Sequence, residues 1–233
     1  MFLAFKNAVI KKWQLFLLLL VSTICLTTVI NSDMTIRQSI LKAFYPVIMW
    51  FSQLVGGKEA ILTRPTDNAI TPPTVSFYSL QAIANNGDTI SFENLKGKKV
   101  MIVNTASDCG FTAQYAELEE LYQQQKDSLV ILAFPSNNFK NQEKKSDSSI
   151  ATFCKINFGV TFPLMKKTDV KKTESQHPVY QWLSNKTQNG WCNQMPTWNF
   201  SKYLIDEKGN LTHFFRETVS PLSKEVKAAL NNH

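Results

Sequence analysis

Two uninterrupted apolar runs, KVMIVNT (Lys99–Thr105) and SLVILAF (Ser128–Phe134), constrain this chain more than any other feature. A half-buried strand alternates apolar and polar residues. A run that is apolar at nearly every position needs cover on both faces, as in a sheet sandwiched between helices. Between the two runs Leu118, Leu121 and Tyr122 recur at helical spacing, with Glu117, Glu119 and Glu120 interleaved. Val75–Leu80 and Thr89–Phe92 flank the turn signal Asn85-Asn86-Gly87-Asp88, which predicts a hairpin. Ser146-Asp147 can cap a helix carrying Ile150, Phe153 and Cys154 on one face. His177–Leu183 reads as a short helix. Phe200–Asp206 and Leu211–Arg216 read as strands around Glu207-Lys208-Gly209-Asn210, and Pro221–Leu230 reads as a closing helix. Strands alternating with helices imply an α/β domain with a mixed central sheet flanked by helices. That order is compatible with thioredoxin-like layers.

The front of the chain is different. Trp13 to Ile30 (WQLFLLLLVSTICLTTVI) carries no charge. Eighteen helical residues span roughly 27 Å, close to the ~30 Å of a bilayer core. Lys6, Lys11 and Lys12 precede it, and the positive-inside rule keeps them cytoplasmic. The expectation is a basic start over residues 1–12 and a transmembrane helix over 13–30. The remainder would be a single-pass, membrane-anchored protein on the exported side. A cleaved signal peptide is the alternative, although no clear A-x-A site follows. Ile36–Val55 is interrupted by Arg37, Lys42 and Pro46, and suits an interfacial helix or a packed stalk better than a second span. Residues 56–73, with Gly56-Gly57 and Pro72-Pro73, read as a linker. The formal net charge is +7. Residues 1–59 carry six Lys/Arg against two Asp/Glu (+4), and residues 60–233 carry nineteen against sixteen (+3). No basic stripe with interleaved aromatics stands out, so no nucleic-acid partner is expected.

The four cysteines are Cys25, Cys109, Cys154 and Cys192. They form no C-x-x-C, and no metal-type Cys/His spacing occurs, so no metal site is expected. Cys109 sits where the first apolar run gives way to the helix. Backbone N–H groups and the dipole at a helix N-terminus favour an anion, which would ease ionisation of a thiol. A buried cysteine at a strand end is the plain alternative.

Four segments together resemble the glutathione peroxidase family: NTASDCGFTAQY (Asn104–Tyr115), FPSNNFKNQE (Phe134–Glu143), FCKINFGVTFP (Phe153–Pro163) and WNFSKYLIDEKGN (Trp198–Asn210). The resemblance spans about residues 75–230, so 74–233 is expected to be one glutathione peroxidase-like domain. It implies a thioredoxin-like fold and a thiol-dependent peroxidase that reduces hydrogen peroxide and organic or lipid hydroperoxides in oxidative stress defence. The catalytic positions it assigns fall on Cys109, Gln142, Trp198 and Asn199. Cys154 matches the resolving cysteine of family members without selenium, so the cycle would run through a sulfenic acid and an intramolecular disulfide. Cys192, in a segment that reads as a polar loop (Lys186–Pro196), is a spare thiol or an alternative resolver. No prosthetic cofactor is implied, only a thiol reductant as co-substrate, a thioredoxin-like protein or glutathione.

Three departures stand out. Ser136 and Asn138 occupy a motif that often reads FPCNQF. Asp108 stands where lysine is common, and a carboxylate beside the nucleophile disfavours the thiolate. Ala113 replaces a frequent proline. The segment between Leu183 and Trp198 lacks a long insertion, which by resemblance implies a monomer and a thioredoxin-like donor. A thiol redox sensor that relays its disulfide to a partner protein would carry the same residues. A catalytically weak scaffold is a third reading. A cysteine protease would need a paired histidine, and His177, His213 and His233 belong to no matched motif.

Overall fold

In a computed structural model of the chain, residues 34–55, 60–65 and 72–231 are described. Strands β4 (Lys99–Thr105) and β5 (Leu129–Pro135) pair in parallel at the centre of the domain. Every residue of β4 is buried, as its unbroken apolar run requires. Alternate side chains enter opposite halves of the core. Met101, Val103, Ile131 and Ala133 face helices α2 (Gln114–Gln125), α3 (Asp147–Phe158) and α6 (Lys224–Asn231). Val100, Ile102, Leu132 and Phe134 face α4 (Pro178–Leu183) and the β2–β3 hairpin (Gln81–Ile83, Thr89–Ser91). A four-residue helix, α5 (Lys186–Asn189), follows α4.

The sheet continues antiparallel through β6 (Lys202–Ile205) and β7 (Leu211–Phe215). Its edge is β1 (Ile61–Thr63), giving the order β1-β7-β6-β4-β5. The expected linker therefore contributes a strand. Three residues give too short a pattern to read from sequence, and their partner lies about 150 positions further along the chain.

Local rules explain the helix that carries Cys154. The Ser146 hydroxyl accepts from Ser149 N–H at the start of α3. At its end Gly159 adopts φ 65°, and its amide donates to the carbonyls of Cys154 and Lys155.

The expectation of an N-terminal transmembrane helix, and with it an anchored domain on the exported side, is corrected. Among the described residues no helix is long and apolar enough to cross a membrane. The Trp13–Ile30 run lies outside the described residues. Helix α1 (Ile36–Val55) has 20 residues but includes Pro46, Arg37 and Lys42, and is neither a second span nor free of the domain. It buries Gln38, Ser39, Tyr45 and Met49. Tyr45 lies near the Glu117 carboxylate of α2, which together with burial pushes its phenol up.

Candidate active site

Cys109 lies in the turn between β4 and α2, and its side chain is only 1% exposed. The turn is built locally. Thr112 Oγ1 accepts from Cys109 N–H at 3.0 Å and donates toward the carbonyls of Ala106 (2.9 Å) and Cys109 (2.8 Å). One threonine thus fixes both ends of the loop. The helix does not follow Cys109 directly, as the sequence suggested. It begins at Gln114, because residues 108–113 spend their polar groups on the turn.

Phe111 N–H donates to Cys109 Sγ at 3.5 Å. Burial pushes the Cys109 thiol up, outweighing the Phe111 N–H and the Trp198 and Asn199 side chains, which all favour the anion. The Glu217 carboxylate adds to the rise. The expected easing of ionisation is therefore reversed, since desolvation exceeds what neutral donors return. Alkylation of Cys109 by iodoacetamide should keep accelerating up to and beyond pH 9, because the thiolate fraction is still growing there. A plateau below pH 8 would contradict this.

Trp198 and Asn199 come from the turn before β6. Trp198 O accepts from Asn104 Nδ2 at 3.0 Å, and Asn104 O accepts from Phe200 N–H at 2.5 Å, so β4 itself anchors the tryptophan-asparagine pair. Gln142 comes from the loop after β5. Its Oε1 accepts from Asn199 Nδ2 at 2.9 Å, and its backbone carbonyl accepts from Asp108 N–H at 3.1 Å. Gln142 thus reaches the site through Asn199 and the Cys109 loop. Phe139 packs on the Trp198 ring at 5.5 Å, and Lys140 Nζ sits 5.7 Å from its centroid.

The backbone beside these side chains is strained. Lys140, Asn141 and Phe200 have φ of 50°, 52° and 71°. Such left-handed conformations cost non-glycine residues of order 1–3 kcal/mol and gather at functional sites. Here they immediately precede Gln142 and follow Asn199. Glu143, the other half of the glutamine-glutamate pair, is buried and accepts from Ser107 N–H and Ser107 Oγ, both at 2.7 Å. Burial raises its carboxyl above the usual range, against those two bonds.

Cys154 shares the core half of Cys109, is fully buried, and has its thiol pushed up to about 12 by burial. Both thiols are free. Cys192, read as part of a polar loop, is instead 2% exposed and belongs to the opposite half of the core. Asn189 buries it by pairing twice with its backbone, at 2.8 Å each way. His177 caps α4 by accepting from Val179 N–H through Nδ1. Among the described residues no cluster of three or more His, Cys, Asp or Glu side chains could hold a metal.

Several groups at the site escaped sequence reasoning. The Phe111 N–H is a backbone group, and no residue type signals it. Glu217, bonded to Thr197 Oγ1 at 2.6 Å, comes from the far end of the chain. Lys202, whose charge interacts with the same Glu217, is fully buried, donates to Gln114 Oε1 at 2.7 Å, and is lowered by burial to about 7. A charged residue inside a strand motif was the available signal.

Comparison with known proteins gives the family. The profile of the glutathione peroxidase family matches residues 77–184. The glutathione peroxidase-like peroxiredoxin GPX5 of Chlamydomonas reinhardtii is 45% identical over 158 residues, 66% of this chain and 96% of that protein. The glutathione peroxidase-like peroxiredoxin 2 of Saccharomyces cerevisiae is 44% identical over 161 residues, covering 68% and 99%. The glutathione peroxidase of Lactococcus lactis subsp. cremoris is 42% identical over 159 residues, covering 67% and 100%. Among solved structures, Trgpx in its apo form superposes with a TM-score of 0.52 at 32% identity, over 67% of this chain and 94% of that one. A DsbF homologue from Corynebacterium diphtheriae, 15% identical with a TM-score of 0.52 over 75% and 96%, shares the fold alone. On these similarities and its thioredoxin-like sheet, the chain belongs to the glutathione peroxidase family and is a thiol-dependent peroxidase.

Proposed function

We propose that Cys109 is the peroxidatic residue and that Trp198 and Asn199 hold its anion, with Gln142 positioning Asn199. The observation that supports this reading is that the Trp198 and Asn199 side chains, from a different loop, each favour the Cys109 anion, while Asn199 is bonded to Gln142. Neutral N–H donors stabilise a thiolate without a histidine and then stabilise the oxygen as charge develops on it. Asn199 Oδ1 is buried without a partner among the described residues, which leaves an acceptor for a hydroperoxide O–H.

In the first step the thiolate attacks one peroxide oxygen. The S–O bond forms, the O–O bond breaks, and the leaving oxygen takes a proton and departs as water or an alcohol. Cys109 is left as a sulfenic acid. In the second step the Cys154 sulfur attacks the sulfenic sulfur and displaces water, forming the disulfide. A dithiol reductant reopens it by exchange, through a mixed disulfide. A thiol reductant is thus the co-substrate. Cys192 is set aside because the sheet separates its half of the core from that of Cys109.

Bridging brings the Cα atoms of Cys109 and of Cys154, which lies within α3, to within about 7 Å of each other. One equivalent of peroxide should therefore give a Cys109–Cys154 disulfide in peptide mapping. Cys154→Ser should still consume that first equivalent and then stall with a protein dithiol as reductant, its turnover falling at least about tenfold. Unchanged turnover by Cys154→Ser, or a bridge to Cys192, would refute the assignment.

A further inference from the structure

Helix α1 lies N-terminal to the span matched by the family profile, yet it touches the nucleophile loop on both sides of the cysteine. The Arg37 guanidinium pairs with the Asp108 carboxylate. Gln38 Nε2 donates to Ser107 O at 2.9 Å in a buried contact. Gln38 is itself fixed, since its Oε1 accepts from Thr35 N–H at 2.9 Å and its own N–H donates to Thr35 Oγ1 at 3.2 Å. Ile48 Cδ1 packs beside Gly110, 3.6 Å from where a Cβ would stand. Lower on the helix, Lys42 Nζ donates to Asn157 O at 3.3 Å and lies 4.9 Å from the Phe158 ring, at the end of α3. Residues 107, 108 and 110 are thus all held by an element from outside the profile match.

Asp108 directly precedes Cys109 in the chain, and a carboxylate near a thiol opposes formation of a second anion. Arginine is charged at every working pH. We propose that Arg37 is a positioning residue of the peroxidase reaction, cancelling the Asp108 charge beside the nucleophile so that the reactivity of Cys109 depends on α1 staying docked. The proposal rests on Cys109 being the nucleophile. The cation that the loop itself lacks is supplied from 71 residues away.

The size of the effect follows from exposure. The two side chains are 62% and 33% exposed, so solvent and salt screen the pair. Unmasking one charge near the sulfur should move its ionisation by about half a pH unit, about threefold in thiolate population.

The test uses the full chain and the rate of Cys109 alkylation by iodoacetamide against pH, read on the Cys109 peptide by mass spectrometry. Arg37→Ala should move the profile up by about half a pH unit and slow alkylation about threefold at pH 7. Arg37→Lys should retain the wild-type profile, and Arg37→Ala combined with Asp108→Asn should return to it. Asp108→Asn alone, with α1 intact, should give a profile at or below the wild-type position. An unmoved profile in Arg37→Ala overturns the proposal. So does a shift that persists in the double variant, which would make Arg37 a structural clamp acting on packing, not on charge. Because alkylation reads the thiol itself, a wild-type protein that alkylated as described but consumed no peroxide would refute the nucleophile assignment and leave the ion-pair result standing.

Discussion

Cys109→Ser should abolish peroxide consumption, with a loss of roughly a thousandfold or more. The hydroxyl is nearly isosteric and can still accept from the Phe111 N–H, so the loop should keep its shape. The difference lies in ionisation and nucleophilicity. A thiol loses its proton near neutral pH far more readily than an alcohol, and the thiolate is the attacking species. Burial at Cys109 makes even the thiol reluctant, so an alcohol at the same place has no accessible anion. Hydrogen peroxide disappearance with dithiothreitol as reductant measures the effect. Turnover equal to wild type would mean that the chemistry occurs at another residue.

Asn199→Ala is expected to lower kcat/KM for peroxide by about a hundredfold, the usual scale for removing one donor aimed at developing charge. Two effects combine. The sulfur loses a group that favours its anion, and Gln142 Oε1 loses the donor that holds it at 2.9 Å. Asn199→Asp should be worse, since it keeps the shape but sets a carboxylate against the thiolate. Trp198→Phe, which keeps the ring and deletes the indole N–H, should fall between wild type and Asn199→Ala. If Asn199→Ala lost less than about threefold, the donor role would be untenable.

The central strands, the turn at Asn85–Asp88 and the Ser146 cap were legible because each depends on a local rule: apolar continuity, a turn cluster, a side-chain oxygen at a helix start; the first hairpin strand, expected within Val75–Leu80, is instead Gln81–Ile83, and Phe77–Ser79 forms a 3-10 turn capped by Ser76. The candidate site residues could be named from motifs, since Cys109, Gln142, Trp198 and Asn199 sit in fixed neighbourhoods of sequence. What could not be read was non-local. Nothing near Arg37 announces Asp108 as its partner, and nothing in the three residues of β1 announces β7. The ionisation of Cys109 was misjudged for a related reason. A helix dipole can be inferred from a helix pattern, whereas burial depends on what the rest of the chain stacks over the sulfur. Cys192 shows the same limit, because Asn189 turns a polar-looking loop inward.

Strand β1 has a practical corollary. It covers the outer rim of β7, with Arg64 N–H reaching Thr212 O and Arg216 N–H reaching Ala60 O, both at 2.8 Å. A fragment trimmed to begin at residue 77, where the family match starts, would strip that rim bare. Its unpaired amides and carbonyls would then invite a neighbouring molecule to zip onto the sheet, next to the fully buried Phe214 and Phe215. A shortened form of the chain should therefore keep β1 from Ala60 onward, together with α1, which packs on the Cys109 loop.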